Sequence, residues 1–118
     1  MNKLATIKQK LVFIDSEYTQ EHQNTTLISI ALVTICGKEI EFNLSDYDKK
    51  QINGWLVENV LNKLTPSAPV SSEFAGKSIF RFLNDYSNGK KVYLISAGLT
   101  FDIILLVELL KYAHVPMD

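Results

Sequence analysis

Two acidic residues lie two positions apart in this chain, Asp15 and Glu17, directly after the short apolar run LVFI at residues 11–14. The run is β-branched and aromatic, which is typical of a buried strand. Residues i and i+2 of an extended chain point to the same side, so the two carboxylates converge. Hard oxygen ligands in such a pair suit Mg²⁺ or Mn²⁺. The alternative is a pair of acids in a surface turn, because D-x-E is a common pattern.

A third acid, Asp102, comes just inside the last segment of helical character. It follows the apolar segment KVYLIS at residues 91–96 and a turn that contains Gly98. If this segment forms a strand beside the first one and parallel to it, Asp102 arrives next to Asp15 and Glu17. The alternative is an acid placed at a helix N-terminus because it favours the helix dipole, which is a sufficient explanation for Asp102 alone.

The elements that must position these acids begin with three strands. Apolar residues dominate residues 11–14 and residues 27–36, and apolar and polar residues alternate over residues 39–44. Gly37 and Lys38 form a tight turn between the second and third strands. The first third of the chain therefore predicts a three-stranded antiparallel meander.

Helical spacing of apolar residues, typical of one buried helix face, then predicts a helix from about residue 48 to residue 64, with Ser45 or Asp46 as its N-cap. The apolar residues at this spacing are Ile52, Trp55, Leu56, Val60, Leu61 and Leu64. The segment TPSAP at residues 65–69 breaks the chain. Ser72 is the expected cap of a second helix that ends near residues 87–89, before the strand at residues 91–96 and a last helix at residues 101–112. The order predicts an α/β fold, a mixed sheet with helices on its faces, in one domain spanning residues 1–118.

Composition limits the classes of function. The chain has 118 residues, of which 47% are hydrophobic and 21% charged, with a net charge of -1. Without a basic excess, a nucleic-acid partner is expected to be short, single-stranded or held through metal ions. The single cysteine, Cys36, is expected to be a buried, inert thiol in a reducing cytoplasm. No signal peptide or apolar run of membrane length is visible, so no membrane partner is expected.

Taken together, the segments FIDSEYT, TTLISIALV and LISAGLTFDIILLVELL resemble the DEDD 3′-5′ exonuclease superfamily of the RNase H-like fold. That group includes oligoribonuclease, RNase T and the polymerase proofreading subunits. The segment WLVENVLNKL, which starts at Trp55, is similar to a stretch of the small bacterial, mycobacterial-type 3′-5′ exoribonucleases. The resemblance covers residues 11–110.

The resemblance implies phosphodiester hydrolysis by two divalent ions, Mg²⁺ or Mn²⁺, on single-stranded RNA or a short oligonucleotide. Asp15 would be shared by both ions, Glu17 would bind the ion on the side of the attacking water, and Asp102 would complete the shell of the other. Ser16 and Tyr18 would lie near the terminal nucleotide. Tyr18 would stack on a base, or else it packs within the protein.

The third motif of that superfamily, a His or Tyr followed by an Asp on a final helix, is not found. His114 and Asp118 are the nominal match, but they come directly after the second motif and Pro116 interrupts any helix there. His114 and His22 are both interpreted as surface residues. Three explanations stay open: a C-terminally truncated domain, a decayed domain kept for another purpose, or a domain completed in trans by a dimer partner. Without the motif, metal affinity and rate are expected to be reduced, since a positioned base contributes on the order of a hundredfold or more.

A missing final helix also predicts exposed apolar surface on the last helix of the chain. The leucines expected to be partly exposed, and to offer a homodimer contact, are Leu105, Leu106, Leu109 and Leu110. Two further functions therefore stay open beside the exonuclease. One is a weak or inactive RNase H-like domain for binding or oligomerisation, and the other is a small α/β interaction protein whose acids only decorate its surface.

Overall fold

The computed structural model describes residues 10–20, 24–96 and 101–113. Its four strands form one mixed sheet in the order β3-β2-β1-β4. The strands are β1 Leu11–Tyr18, β2 Leu27–Thr34, β3 Glu39–Asn43 and β4 Tyr93–Ser96. β1, β2 and β3 pair antiparallel, and β4 pairs parallel with β1. The prediction of an α/β fold with an antiparallel meander and a parallel fourth strand is confirmed.

β1 is an inner strand, and its register fixes what lies on each face of the sheet. Ile14 pairs with Leu32 on one side and with Ser96 on the other. The strand does not end at Ile14, as the apolar run predicts, but continues to Tyr18. It does so because β2 supplies backbone partners along the polar residues as well, with an irregularity between Glu17 and Tyr18.

Three α-helices accompany the sheet: α1 Gly54–Asn59, α2 Ser72–Ser87 and α3 Phe101–Tyr112. α2 and α3 pack on one face of the sheet and contact each other. This main core consists of Val12, Ile14, Leu27, Ile30, Leu32, Leu44, Ala75, Ile79, Leu105, Leu106, Leu109 and Leu110. α1 belongs to a smaller cluster, in which Leu56 and Val60 pack with Ile28.

The single helix predicted over residues 48–64 is wrong. The segment contains a 3₁₀ turn at Lys49–Gln51, the short helix α1, and a second 3₁₀ turn at Leu61–Lys63. Asp48 caps the first turn through the Lys50 amide, and Asn53 caps α1 through the Leu56 amide at 2.9 Å. Asp and Asn side chains compete for backbone amides in this way, so they start new helices within an apolar pattern.

The bounds of α2 follow the prediction except at its cap. Ser71, not Ser72, accepts the hydrogen bond of the Phe74 amide, at 3.1 Å. Ser72 instead donates its hydroxyl to Asp46 at 2.7 Å. The predicted end is confirmed, because Asn88 takes the left-handed conformation that terminates helices.

The expectation that the leucines of α3 are partly exposed is wrong. The exposed fractions of Leu105, Leu106, Leu109 and Leu110 are 7%, 0%, 5% and 8%. α2 and the sheet cover them, so these side chains offer no surface for a homodimer. The exposed residues of α3 are Ile104, Glu108, Lys111 and Tyr112.

The expectation that Cys36 is buried is wrong. Cys36 is exposed, not buried, because it lies in the turn after β2, where its thiol is 3.1 Å from the Thr34 hydroxyl. That hydrogen bond is the main reason that the pKa of the Cys36 thiol lies below its ordinary value.

No helix within the described residues is long and apolar enough to cross a membrane.

The crossing of α2 and α3 depends on Gly76. A Cβ atom at this position would lie 2.6 Å from Ala113 Cβ and 2.8 Å from the Leu109 carbonyl oxygen. We therefore expect Gly76→Ala to lower the free energy of unfolding by about 1–3 kcal/mol, because overpacking outweighs the gain in helix propensity. Urea denaturation measures the change.

Gly54→Ala is the matched control, since nothing lies within 4 Å of a Cβ at the start of α1. It should leave the stability unchanged or raise it by up to about 1 kcal/mol. Equal effects of the two substitutions would contradict the close crossing.

Candidate carboxylate site

β1 carries Asp15 and Glu17 on the same face, as the spacing predicts. Burial alternates along the strand, so Val12 and Ile14 face the core whereas both acids are exposed. The outward positions are paired with Ala31 and Ser29 of β2. Short neighbours of this kind leave room around the carboxylates.

Asp102 reaches the same end of the sheet from the opposite face. It lies in the first turn of α3 and is 5% exposed. One carboxylate oxygen accepts a hydrogen bond from the Ser16 hydroxyl, and the other accepts one from the Ser96 hydroxyl at 2.7 Å. Asp102 therefore joins the start of α3 to the carboxyl ends of β1 and β4.

All three acids line one pocket of about 440 Å³ at this end of the sheet. α1 and the residue before it also line this pocket, through Asn53, Trp55 and Leu56. The helical spacing assigned Trp55 to the buried face, but its side chain is 65% exposed. The signal for this position was the resemblance of the segment that Trp55 begins, not its periodicity.

The electrostatics of the pocket are those of like charges held together. The pKa of Glu17 lies above its ordinary value, first because of partial burial and then because of the charges of Asp15 and Asp102. No side chain among the described residues forms an ion pair with these acids, since the one salt bridge in that part of the chain joins Lys77 and Glu73. Lys63 lines an adjoining hollow of about 240 Å³ together with Asp15 and Glu17.

The donor chemistry of the pocket fits a hard divalent cation, but no such site is preformed. Within residues 10–20, 24–96 and 101–113, no three acid, histidine or cysteine side chains are grouped closely enough to hold a metal ion. Asp15 and Glu17 approach from the exposed face, whereas Asp102 approaches from the helix-covered face. Binding by all three would require the carboxylates to move closer together. Asp15 and Glu17 are therefore the residues that would hold a first cation.

The two neighbours expected near a substrate, Ser16 and Tyr18, also line the pocket. Ser16 is buried, and its hydroxyl is committed to Asp102. The Tyr18 ring stacks on Phe101, with 5.5 Å between ring centroids. Packing thus accounts for Tyr18, and a positioning role accounts for Ser16. His22, His114 and Asp118 lie outside the described residues.

No protein-family model matches the chain. A search among curated proteins gives no significant match either. The geometry of the pocket and the order of the strands are therefore the observations that bear on function.

The raised pKa of Glu17 has a consequence for stability. Because its ionised form is disfavoured in the folded protein, the contribution of Glu17 is fully present below the ordinary pKa of 4.5 and is lost as the pH rises through the folded-state value. In EDTA, Glu17→Gln should therefore be more stable than the wild type at neutral pH. The difference should vanish below pH 4.5. Thermal unfolding at the two pH values measures it.

Glu58→Gln is the control for this charge change, because Glu58 is an exposed acid of α1 that does not line the pocket. If it reproduces the effect of Glu17→Gln at neutral pH, general charge rather than the pocket is responsible.

Proposed function

We propose that this chain is a DEDD-type 3′-5′ exonuclease domain that depends on divalent cations and acts on short single-stranded nucleic acid, with RNA as the first substrate to test. The observation that carries the proposal is the meeting of Asp15, Glu17 and Asp102 in one pocket. These are the three acids that the resemblance to the superfamily selects, and Asp102 is distant in sequence from the other two.

The sheet supports the proposal. An antiparallel meander whose first strand pairs parallel with the strand after the helices is the arrangement expected of an RNase H-like fold. This arrangement places the Asp15–Glu17 pair on an inner strand and brings the start of α3 to the same end of the sheet. The carboxyl end of β1 thus lines the pocket, and Ser96 at the end of β4 holds Asp102 in it.

The acids divide the work of the proposed site. Asp15 and Glu17 are exposed and mutually repulsive, so they would hold a divalent cation, while Asp102 orients Ser16 and Ser96 beneath them. A bound divalent ion supplies Lewis acidity and lowers the pKa of an attacking water. In the absence of cations, the same acids would repel the phosphates of a substrate.

Trp55 is the residue that we assign to substrate contact. Trp55 lines the same pocket as the acids and is largely exposed. Stacking of a base on such a ring is worth about 1–3 kcal/mol and tolerates any sequence. This position suits a terminal base of a single strand, whose backbone would lie toward Asp15.

A second candidate function is a binding module without hydrolytic activity. It is favoured by the hydrogen bonds that occupy both oxygens of Asp102, and by the pocket lining, in which no histidine and no fourth acid appears among the described residues. Such a module would still bind divalent cations and single strands through Asp15, Glu17 and Trp55.

The test is digestion of a 5′-labelled single-stranded RNA, and of the matching DNA, in Mn²⁺ and in EDTA. We expect a ladder that shortens from the 3′ end, that EDTA abolishes, and that Asp15→Asn reduces at least a hundredfold, because this variant removes a charge that the cation requires.

Asp85→Asn makes the same change on the exposed surface of α2 and should cleave like the wild type. Absence of cleavage by the folded wild type would contradict the proposed exonuclease activity. Retained binding of the RNA in Mn²⁺, lost in Trp55→Ala, would then select the binding module.

A further inference from the structure

The face of the sheet opposite α2 and α3 carries an apolar patch that no described element covers. The register aligns Ile95 with Phe13 and Phe13 with Val33, and in the next row it aligns Tyr93 with Leu11. Ile35 extends the second row, since its amide donates to the Leu11 carbonyl at 3.2 Å.

The exposed fractions in this patch are large for a folded protein: 42% for Phe13, 39% for Ile95, 43% for Tyr93 and 46% for Ile35. These side chains belong to three adjacent strands, so they form one contiguous surface, which is the pattern of an interaction site rather than of scattered exposed residues. Leu64 and Thr65 lie beside the other half of the same face, where they line one hollow together with Ser29 and Ala31.

Acids border the patch. On β3, Glu39 pairs with Val33 and Glu41 pairs with Ala31, both on this face. Asp15, the next outward residue of β1 after Phe13, extends the acidic border to a second side. None of the three has an ion-pair partner among the described residues.

We propose that this apolar patch docks a cationic amphipathic helix of a protein partner. The three strands span about 10 Å, which is about the diameter of a helix. Neighbouring outward rows are about 7 Å apart along a strand, which is comparable to the rise of about 6 Å between helix positions i and i+4. An apolar stripe at i, i+4 and i+7 lies over the two rows, and Lys or Arg residues beside the stripe meet Glu39 and Glu41.

Glu39 and Glu41 favour a cationic partner, because nucleic acid or an anionic membrane would meet like charge at this border. Asp15 belongs to both the patch border and the carboxylate pocket, but the apolar side chains of the patch do not line that pocket, so Ile95→Gln tests this proposal separately from the proposed function.

The probe is a fluorescein-labelled Leu/Lys peptide of about 18 residues, long enough for five helical turns, with its leucines at helical spacing. A peptide of the same composition in scrambled order is the control. We expect the anisotropy titration to give a dissociation constant at least tenfold lower for the patterned peptide, and binding that weakens as salt rises.

Ile95→Gln should weaken the patterned peptide about tenfold, because it removes one buried aliphatic side chain from the contact. Ile104→Gln is the matched control, since Ile104 is 51% exposed but lies on α3, on the other face of the sheet. The double variant Glu39→Gln with Glu41→Gln should bind severalfold more weakly and lose most of the salt dependence.

Four results would overturn the proposal. One is equal binding of the patterned and scrambled peptides, and another is equal loss from Ile95→Gln and Ile104→Gln. The other two concern the occupant. A wild-type dimer in sedimentation velocity that Ile95→Gln dissociates would assign the face to a second copy, and tighter peptide binding after deletion of residues 1–9 would assign it to that segment.

Discussion

A carboxylate that is taken out of water must be hydrogen-bonded, because an unpaired buried charge costs several kcal/mol. Asp102 meets this requirement with two serine hydroxyls, one from β1 and one from β4. The same hydrogen bonds fix where α3 begins relative to the sheet. The position of the pocket therefore depends on a polar contact between three elements, of which β1 is far in sequence from β4 and α3.

The inner position of β1 in the sheet also determines how the side chains of the site are arranged. Because its side chains alternate, Ser16 supports Asp102 from the covered face while Asp15 and Glu17 stand on the exposed face. Partial burial, and then the charges of Asp15 and Asp102, raise the pKa of Glu17. A pocket that gathers negative charge without a described counter-ion is suited to a cation, and the resulting affinity would depend on pH and on divalent concentration.

The sequence allowed much of this arrangement to be predicted. Strand-length apolar runs and the Gly37 turn indicated the meander, and the order of the last strand and helix indicated that Asp102 would join Asp15 and Glu17. These features are local or follow from short connections, so periodicity and turn chemistry suffice for them.

The failures have a common cause, which is that burial depends on tertiary placement. Nothing in the spacing of residues 48–64 reveals that capping by Asp48 and Asn53 divides the helix. For the same reason Trp55, which helical spacing assigns to a core, is exposed in the pocket. The leucines of α3 were expected to be exposed because a partner helix was missing from the sequence pattern, yet the close approach of α2 at Gly76 covers them.

The central claim is that Asp15 and Glu17 bind a divalent cation in this pocket, with Asp102 holding the pocket in place through Ser16 and Ser96. Isothermal titration with Mn²⁺ tests it most directly, on the wild type, Asp15→Asn, Asp102→Asn and the surface control Asp85→Asn, each shown to be folded by circular dichroism. We predict one saturable binding event that both pocket variants weaken about tenfold or more, since each removes a ligand or its support, and that the control leaves unchanged. No saturable binding by the wild type, or equal binding by all four proteins, would contradict it.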